Sequence, residues 1–196
     1  MNPDLSFVKN ALLHVEDLEW RLGTTGVFTI TLSEDLAVNI FDHEMAVPGR
    51  ADYHSHWYDF RSNIVAGRLR HFRYVNDEAG FDVLAQEVSM EHQPVGAPFA
   101  LRLRECPCET YVIGDSYEIT APEIHRVVAD PGTVTLVTRQ RKTSPNGYYV
   151  FKSLAVQEPG ASARQAPSGN SLETARQFTA LALAKIEEEQ RPLALR

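Results

Sequence analysis

Two histidines two residues apart carry the strongest chemical signal in the chain, in the run His54, Ser55, His56, Trp57, Tyr58, Asp59, Phe60, Arg61. In an extended strand, side chains at i and i+2 leave the backbone on the same face. His54 and His56 can therefore present two imidazoles together, which is a metal site short of one ligand. His125, at the end of the run from Gly114, is the candidate for the third. Neutral imidazoles suit divalent Fe, Zn, Ni, Cu or Mn, with geometry and availability deciding among them. Three protein ligands also leave coordination positions open, as a catalytic site requires and a closed structural site does not.

The residues around these histidines admit several roles. Asp59 has the opposite strand parity to the histidines. It is read as a ligand if the strand bends, as a group orienting an imidazole, or as a surface ion-pair partner of Arg61. Tyr58 shares parity with His56 and could hydrogen-bond a bound substrate, or simply fill the core. His71, on the strand expected after Gly67, could donate a proton in the pocket or stand partly exposed. Tyr117 and Arg126 flank His125, and Arg126 could bind a carboxylate.

Positioning these groups falls to a mainly β chain. Leu5, Val8, Leu12, Val15, Leu18 and Leu22 recur at helical steps, so residues 1–23 are expected to form an N-terminal helix lying across a sheet, with Asn2 as N-cap and Gly23 as stop. From Thr24 the period changes to two. Phe28, Ile30 and Leu32 share one face, Ser33–Asp35 turns, and Leu36, Val38 and Ile40 share the next, which predicts a hairpin. Pro48 and Gly49 mark a loop before the histidine strand. Short alternating runs follow, with turns expected at Asn76–Gly80, Gly114–Asp115 and Asp130–Gly132, and a loop at Gln93–Pro98. About ten short strands at this spacing indicate a sandwich or barrel over residues 24–156. Residues 157–170, rich in Pro, Gly, Ser and Ala, read as a linker. Residues 171–196 read as a C-terminal helix, with Asn170 and Glu173 at capping-box spacing and an apolar stripe of Leu172, Ala175, Phe178, Leu181 or Ala182, and Ile186.

The histidine segments resemble the cupin superfamily. Its first motif runs Gly-x5-His-x-His-x3,4-Glu-x6-Gly, and His54, His56 and Gly67 stand at its spacing. Its second motif opens on a glycine eleven residues before a histidine, as Gly114 and His125 stand here. The resemblance covers residues 24–156 and implies a cupin jelly-roll β-barrel, here with a helix on either side. It also implies a divalent metal held by His54, His56 and His125. Phe60 (or Arg61 on the longer spacing) occupies the acidic ligand's place, and Phe60 cannot ligate. That departure resembles the three-histidine thiol dioxygenases, which are mononuclear non-haem Fe(II) enzymes. The implied function is thus a dioxygenase that takes O2 and a small polar substrate, a thiol or carboxylate. The alternatives are a Zn, Ni or Mn cupin acting as isomerase or lyase, and a cupin that binds small molecules without catalysis.

Bulk properties bound the partners. The 196 residues, 43% apolar and 23% charged, suit one soluble domain with flanking elements. A net charge of −7 argues against nucleic acid, which needs clustered Lys and Arg. No apolar run approaches the ~18 residues of a membrane span, and the N-terminus lacks the pattern of a secretory signal. Cys106 and Cys108 flank Pro107 too closely for an unstrained disulfide. They are read as free thiols, and the expected compartment is the cytoplasm. The expected assembly is a homodimer that buries the apolar stripes of the terminal helices.

Overall fold

The computed structural model describes residues 3–23, 25–42, 53–89, 93–142, 146–151 and 172–191. Asn2, Pro48, Gly49, Asn170 and the 157–170 segment lie outside them. The chain is mainly β, with curled sheets forming a half-barrel and an α-helix at each end.

The elements run in the order α1 (Pro3–Leu13), a 3₁₀ turn (Val15–Asp17), β1 (Glu19–Leu22), β2 (Val27–Ser33), β3 (Leu36–Phe41), β4 (Tyr53–His54), β5 (Tyr58–Ala66) and β6 (Arg68–Ser89). Then follow β7 (Pro94–Glu105), β8 (Glu109–Val112), β9 (Ser116–Ile119), β10 (Ile124–Ala129), β11 (Thr133–Lys142), β12 (Asn146–Phe151) and α2 (Leu172–Gln190). One six-stranded sheet has the order β1-β2-β3-β11-β5-β9. The second has the order β10-β4-β12-β6-β7, with β8 also on β6.

The first sheet is buried by the two helices on its outer face. The expected hairpin forms, with Phe28 opposite Ile40 and Ile30 opposite Val38. Those four side chains pack with Val8 and Leu12 of α1, Val134 and Leu136 of β11, and Ala175, Phe178, Ala182 and Ile186 of α2. At the alternative left open by the sequence, Ala182 takes the buried place on α2 and Leu181 does not. Phe28 is fully buried, and its ring lies 5.3 Å from Trp20 and 5.0 Å from Phe178.

Three local expectations are corrected. The N-terminal helix stops at Leu13, not Gly23, and residues Glu19–Leu22 form an edge strand whose Trp20 pairs with Ile30. The helical spacing of Leu18 and Leu22 gives way there to sheet pairing, which satisfies the backbone and stacks Trp20 on Phe28. Residues Asn76–Gly80 do not reverse the chain; β6 runs through them, because both Asn76 and Phe81 lie opposite Leu103 of β7. The extra residues form a bulge in which the Asp77 carboxylate accepts the Ala79 N–H at 2.9 Å. A Cβ at Gly80 would collide with the Leu103 carbonyl. The loop expected at Gln93–Pro98 is strand from Pro94 onward.

This bend lets β6 meet distant partners. Its first half pairs with β10 and its second half with β12, and β4 lies between β10 and β12. The pairings therefore return to their starting strand. One face of this circuit packs Tyr53, Phe72, Tyr74, Val83, Ala85 and Leu103 together. The other carries His54, His125 and His71.

Phe28 is the packing link among sheet, β1 and α2. Phe28→Ala is expected to cost about 3–5 kcal/mol of stability, measured by urea unfolding.

Candidate metal centre

His54 ends β4, and its antiparallel partner on β10 is His125. Residues directly opposite in an antiparallel pair share a face with Cβ atoms about 4.5–5.5 Å apart. That pairing alone brings two imidazoles together. His56 follows the end of β4, and its N–H donates to the Ala121 carbonyl at 2.9 Å, on the approach to β10. The three rings stand 4.7–5.0 Å apart, centre to centre.

One nitrogen from each of His54, His56 and His125 lies within 4.8 Å of the others. The Nε2 atoms of His56 and His125 are 3.4 Å apart. Two nitrogens each about 2.1 Å from a shared ion, at tetrahedral to right angles, stand roughly 3.0–3.4 Å from each other. The residues present thus fit a divalent metal. Nδ1 of His125 lies 3.4 Å from the Glu123 carbonyl, a contact that suits Nδ1–H and leaves Nε2 free to coordinate. His125 is held well below the ordinary imidazole range by burial, then by His54, His56 and His71 around it. A neutral imidazole is the form that binds metal.

The other sequence candidates separate. Phe60, in the acidic ligand's place, sets its ring 4.8 Å from His56 and 6.1 Å from His125, and so forms an apolar wall. Tyr58 lies beside His56, with ring centres 5.6 Å apart. His71 is fully buried on the face of His125, 5.3 Å from it and 4.7 Å from the Tyr117 ring. The partly exposed strand position is therefore not its environment. Tyr117 is buried too, which pushes its hydroxyl up to about 12.

Asp59 is not in the ligand cluster; its Oδ1 accepts the Ala121 N–H at 2.7 Å. Arg126 is corrected outright. It alternates with His125 along β10, and its guanidinium lies 4.6 Å from the Phe72 ring centre and 5.4 Å from Tyr53, on the opposite face. Arg73 and Arg139 take the inner face instead. Arg73 lies opposite His125 in register and forms ion pairs with Glu123 at 3.0 Å and Glu109 at 3.6 Å. Arg139 lies opposite Phe60, and its guanidinium stands 5.2 Å from the Tyr58 ring centre. Only strand register reveals this, since nothing in the local sequence says which strands are neighbours.

His71 gives a pH signature. Neither ring nitrogen has a hydrogen-bond partner among the described residues, and burial, Arg73 and His54 lower its pKa to about 3. Below the ordinary value of 6.5 the unfolded chain takes up a proton that the folded chain refuses. Stability therefore falls as pH drops from about 6.5 towards 3. His71→Phe should flatten that fall by up to one proton, about 1.4 kcal/mol per pH unit. Urea unfolding of metal-free protein at pH 7, 6, 5 and 4 checks it; parallel curves for both proteins would contradict it.

No protein-family model matches the chain. No curated protein matches it. Among solved structures it is similar to the oxalate decarboxylase of Lactobacillus farciminis in its formate complex, at 19% identity and TM-score 0.38, over 65% of this chain and 31% of that one. This chain thus spans about a third of the decarboxylase. It is also similar to the hydroquinone 1,2-dioxygenase of Sphingomonas sp. TTNP3 with 4-hydroxybenzoate bound, at 12% identity and TM-score 0.29, over 68% of this chain and 70% of that one. A third is the CENP-C cupin domain of Drosophila melanogaster, at 9% identity and TM-score 0.24, over 63% of this chain and 76% of that one.

Proposed function

We propose that this chain is a metal-dependent cupin that holds one divalent metal at His54, His56 and His125. Its activity, on this reading, is that of a mononuclear non-haem Fe(II) dioxygenase acting on a small polar thiol or carboxylate. The observation that carries the reading is the convergence of three imidazoles with no carboxylate in their group among the described residues. A neutral ligand set leaves the metal's charge uncompensated and favours an anionic substrate. Bound iron would supply the activation of O2.

The chain's own residues have definable parts in this reading. Phe60 keeps one side of the imidazoles apolar and dry. Tyr58 offers a hydroxyl near His56. The guanidinium of Arg139 over the Tyr58 ring replaces Arg126 as the group to meet a substrate's negative charge. Its NH1 donates to the Glu34 carbonyl at 2.7 Å, and its Nε is buried without a hydrogen-bond partner among the described residues. Arg73 suits that task less, because Glu123 and Glu109 already balance it.

Metal content separates this reading from a Zn, Ni or Mn isomerase or lyase, since only a redox metal activates O2 directly. Anaerobically purified protein is expected to carry about one iron per chain, read by elemental analysis. His54→Ala or His125→Ala should nearly abolish it. Iron-loaded protein should consume O2 with small thiols in an oxygen electrode. Undiminished metal in a variant carrying both His54→Ala and His125→Ala would show that the site is elsewhere. Metal uptake without O2 consumption on any small thiol or carboxylate would favour the non-catalytic cupin.

A further inference from the structure

Three hydrogen bonds converge on the short turn before β10. The Glu123 N–H donates to the Thr120 carbonyl at 3.0 Å and closes the turn. Within it, the Ala121 carbonyl accepts from the His56 N–H at 2.9 Å, and the Ala121 N–H donates to Asp59 Oδ1 at 2.7 Å. The same turn contacts His125 through the Glu123 carbonyl, 3.4 Å from Nδ1. Its far end is tied to β6, because the Glu123 carboxylate pairs with Arg73 at 3.0 Å. One turn thus touches two of the three imidazole-bearing residues, and Asp59 on β5 grips its centre.

We propose that Asp59 is a positioning residue that sets His56 against His125 through the Ala121 peptide, acting as a backbone acceptor and not as a metal ligand. This rests on the metal reading above. The physical reason is the short bond, 2.7 Å, from a buried backbone N–H to a side-chain oxygen. His56 lies beyond the end of β4. Its N–H is held by a carbonyl whose own peptide is fixed at the other end by Asp59. Ala121 is fully buried and has no side chain beyond Cβ, so hydrogen bonds to its peptide fix its place. A carboxylate oxygen engaged with the Ala121 peptide is not itself a ligand to the metal, which suits the neutral ligand set.

The test uses the full-length chain, with Asp59→Ala, Asp59→Asn and His54→Ala variants. Two readouts are needed. The first is cobalt(II) titration of metal-free protein under anaerobic conditions, followed by the visible absorption of the bound ion. The second is amide hydrogen exchange of the metal-free protein. Asp59→Ala should weaken cobalt binding roughly 10- to 100-fold and change the absorption bands. It should also speed exchange at Ala121 and His56 while leaving the β11 amides protected. Asp59→Asn keeps an oxygen acceptor and should stay within about 3-fold of wild type. His54→Ala should lose cobalt without altering exchange at Ala121. Unchanged exchange at Ala121 and His56 in Asp59→Ala would overturn the proposal. So would an Asp59→Asn variant as weak as Asp59→Ala, because the carboxylate would then act through its charge. Failure of wild type to bind cobalt would refute the metal reading, and the exchange data alone would then decide whether Asp59 positions His56.

Discussion

The site depends on the pairing of β4 with β10. β4 is two residues long, yet it decides where His54 points, because His125 is its partner across the ladder. A slip of one residue would turn His54 to the opposite face of the sheet. Two things hold the register. β12 pairs with the other edge of β4, Tyr149 opposite His54 and Val150 opposite Tyr53. Tyr53, pointing the opposite way from His54, is 2% exposed and packs edge-on against Tyr74 at 4.9 Å. Burying a large ring on one face fixes an imidazole on the other.

That register rests in turn on the bend in β6. A straight strand of 22 residues would carry its two halves away from each other. The bulge at Asp77–Gly80 redirects it, so the first half meets β10 and the second meets β12. Arg104 of β7 closes on the Asp77 carboxylate at 2.6 Å and reinforces the bulge from the neighbouring strand. With β4 between β10 and β12, every strand that carries or supports His54 and His125 is hydrogen-bonded on both sides. The imidazoles of this face therefore sit on a closed framework and not on a free edge.

How much of this was legible in the sequence follows from what each signal measures. The two-residue alternation of Phe28, Ile30 and Leu32 against Leu36, Val38 and Ile40 named a hairpin, because its partners are neighbours in the chain. The spacing of His54, His56 and His125 named the cluster, because parity and motif spacing survive even though β4 ends before His56. Arg126 was misplaced, although its parity against His125 was readable; a functional expectation overrode it. Arg139 could not have been found, since its facing depends on pairing with a strand far away in sequence. Asn76–Gly80 carried turn chemistry and does bend locally, but whether a turn reverses a chain or bulges it is decided by the strand opposite.

The chemistry of the proposed site and the stability of the chain are one problem. His125 and His71 are buried close together, and His71 has no hydrogen-bond partner among the described residues. Burying polar rings without partners costs free energy, and crowding imidazoles disfavours protonating any of them. The groups that make the metal-free fold sensitive to acid are therefore already in the state that coordination needs. On the proposed reading, metal binding recovers part of that cost, since a ligand that binds only the folded chain stabilises it. A carboxylate in place of Phe60 would put a charge against the same imidazoles, draw protons to them at neutral pH and favour an ion pair over an open ligand set. The apolar ring at that position adds no charge of its own beside the imidazoles.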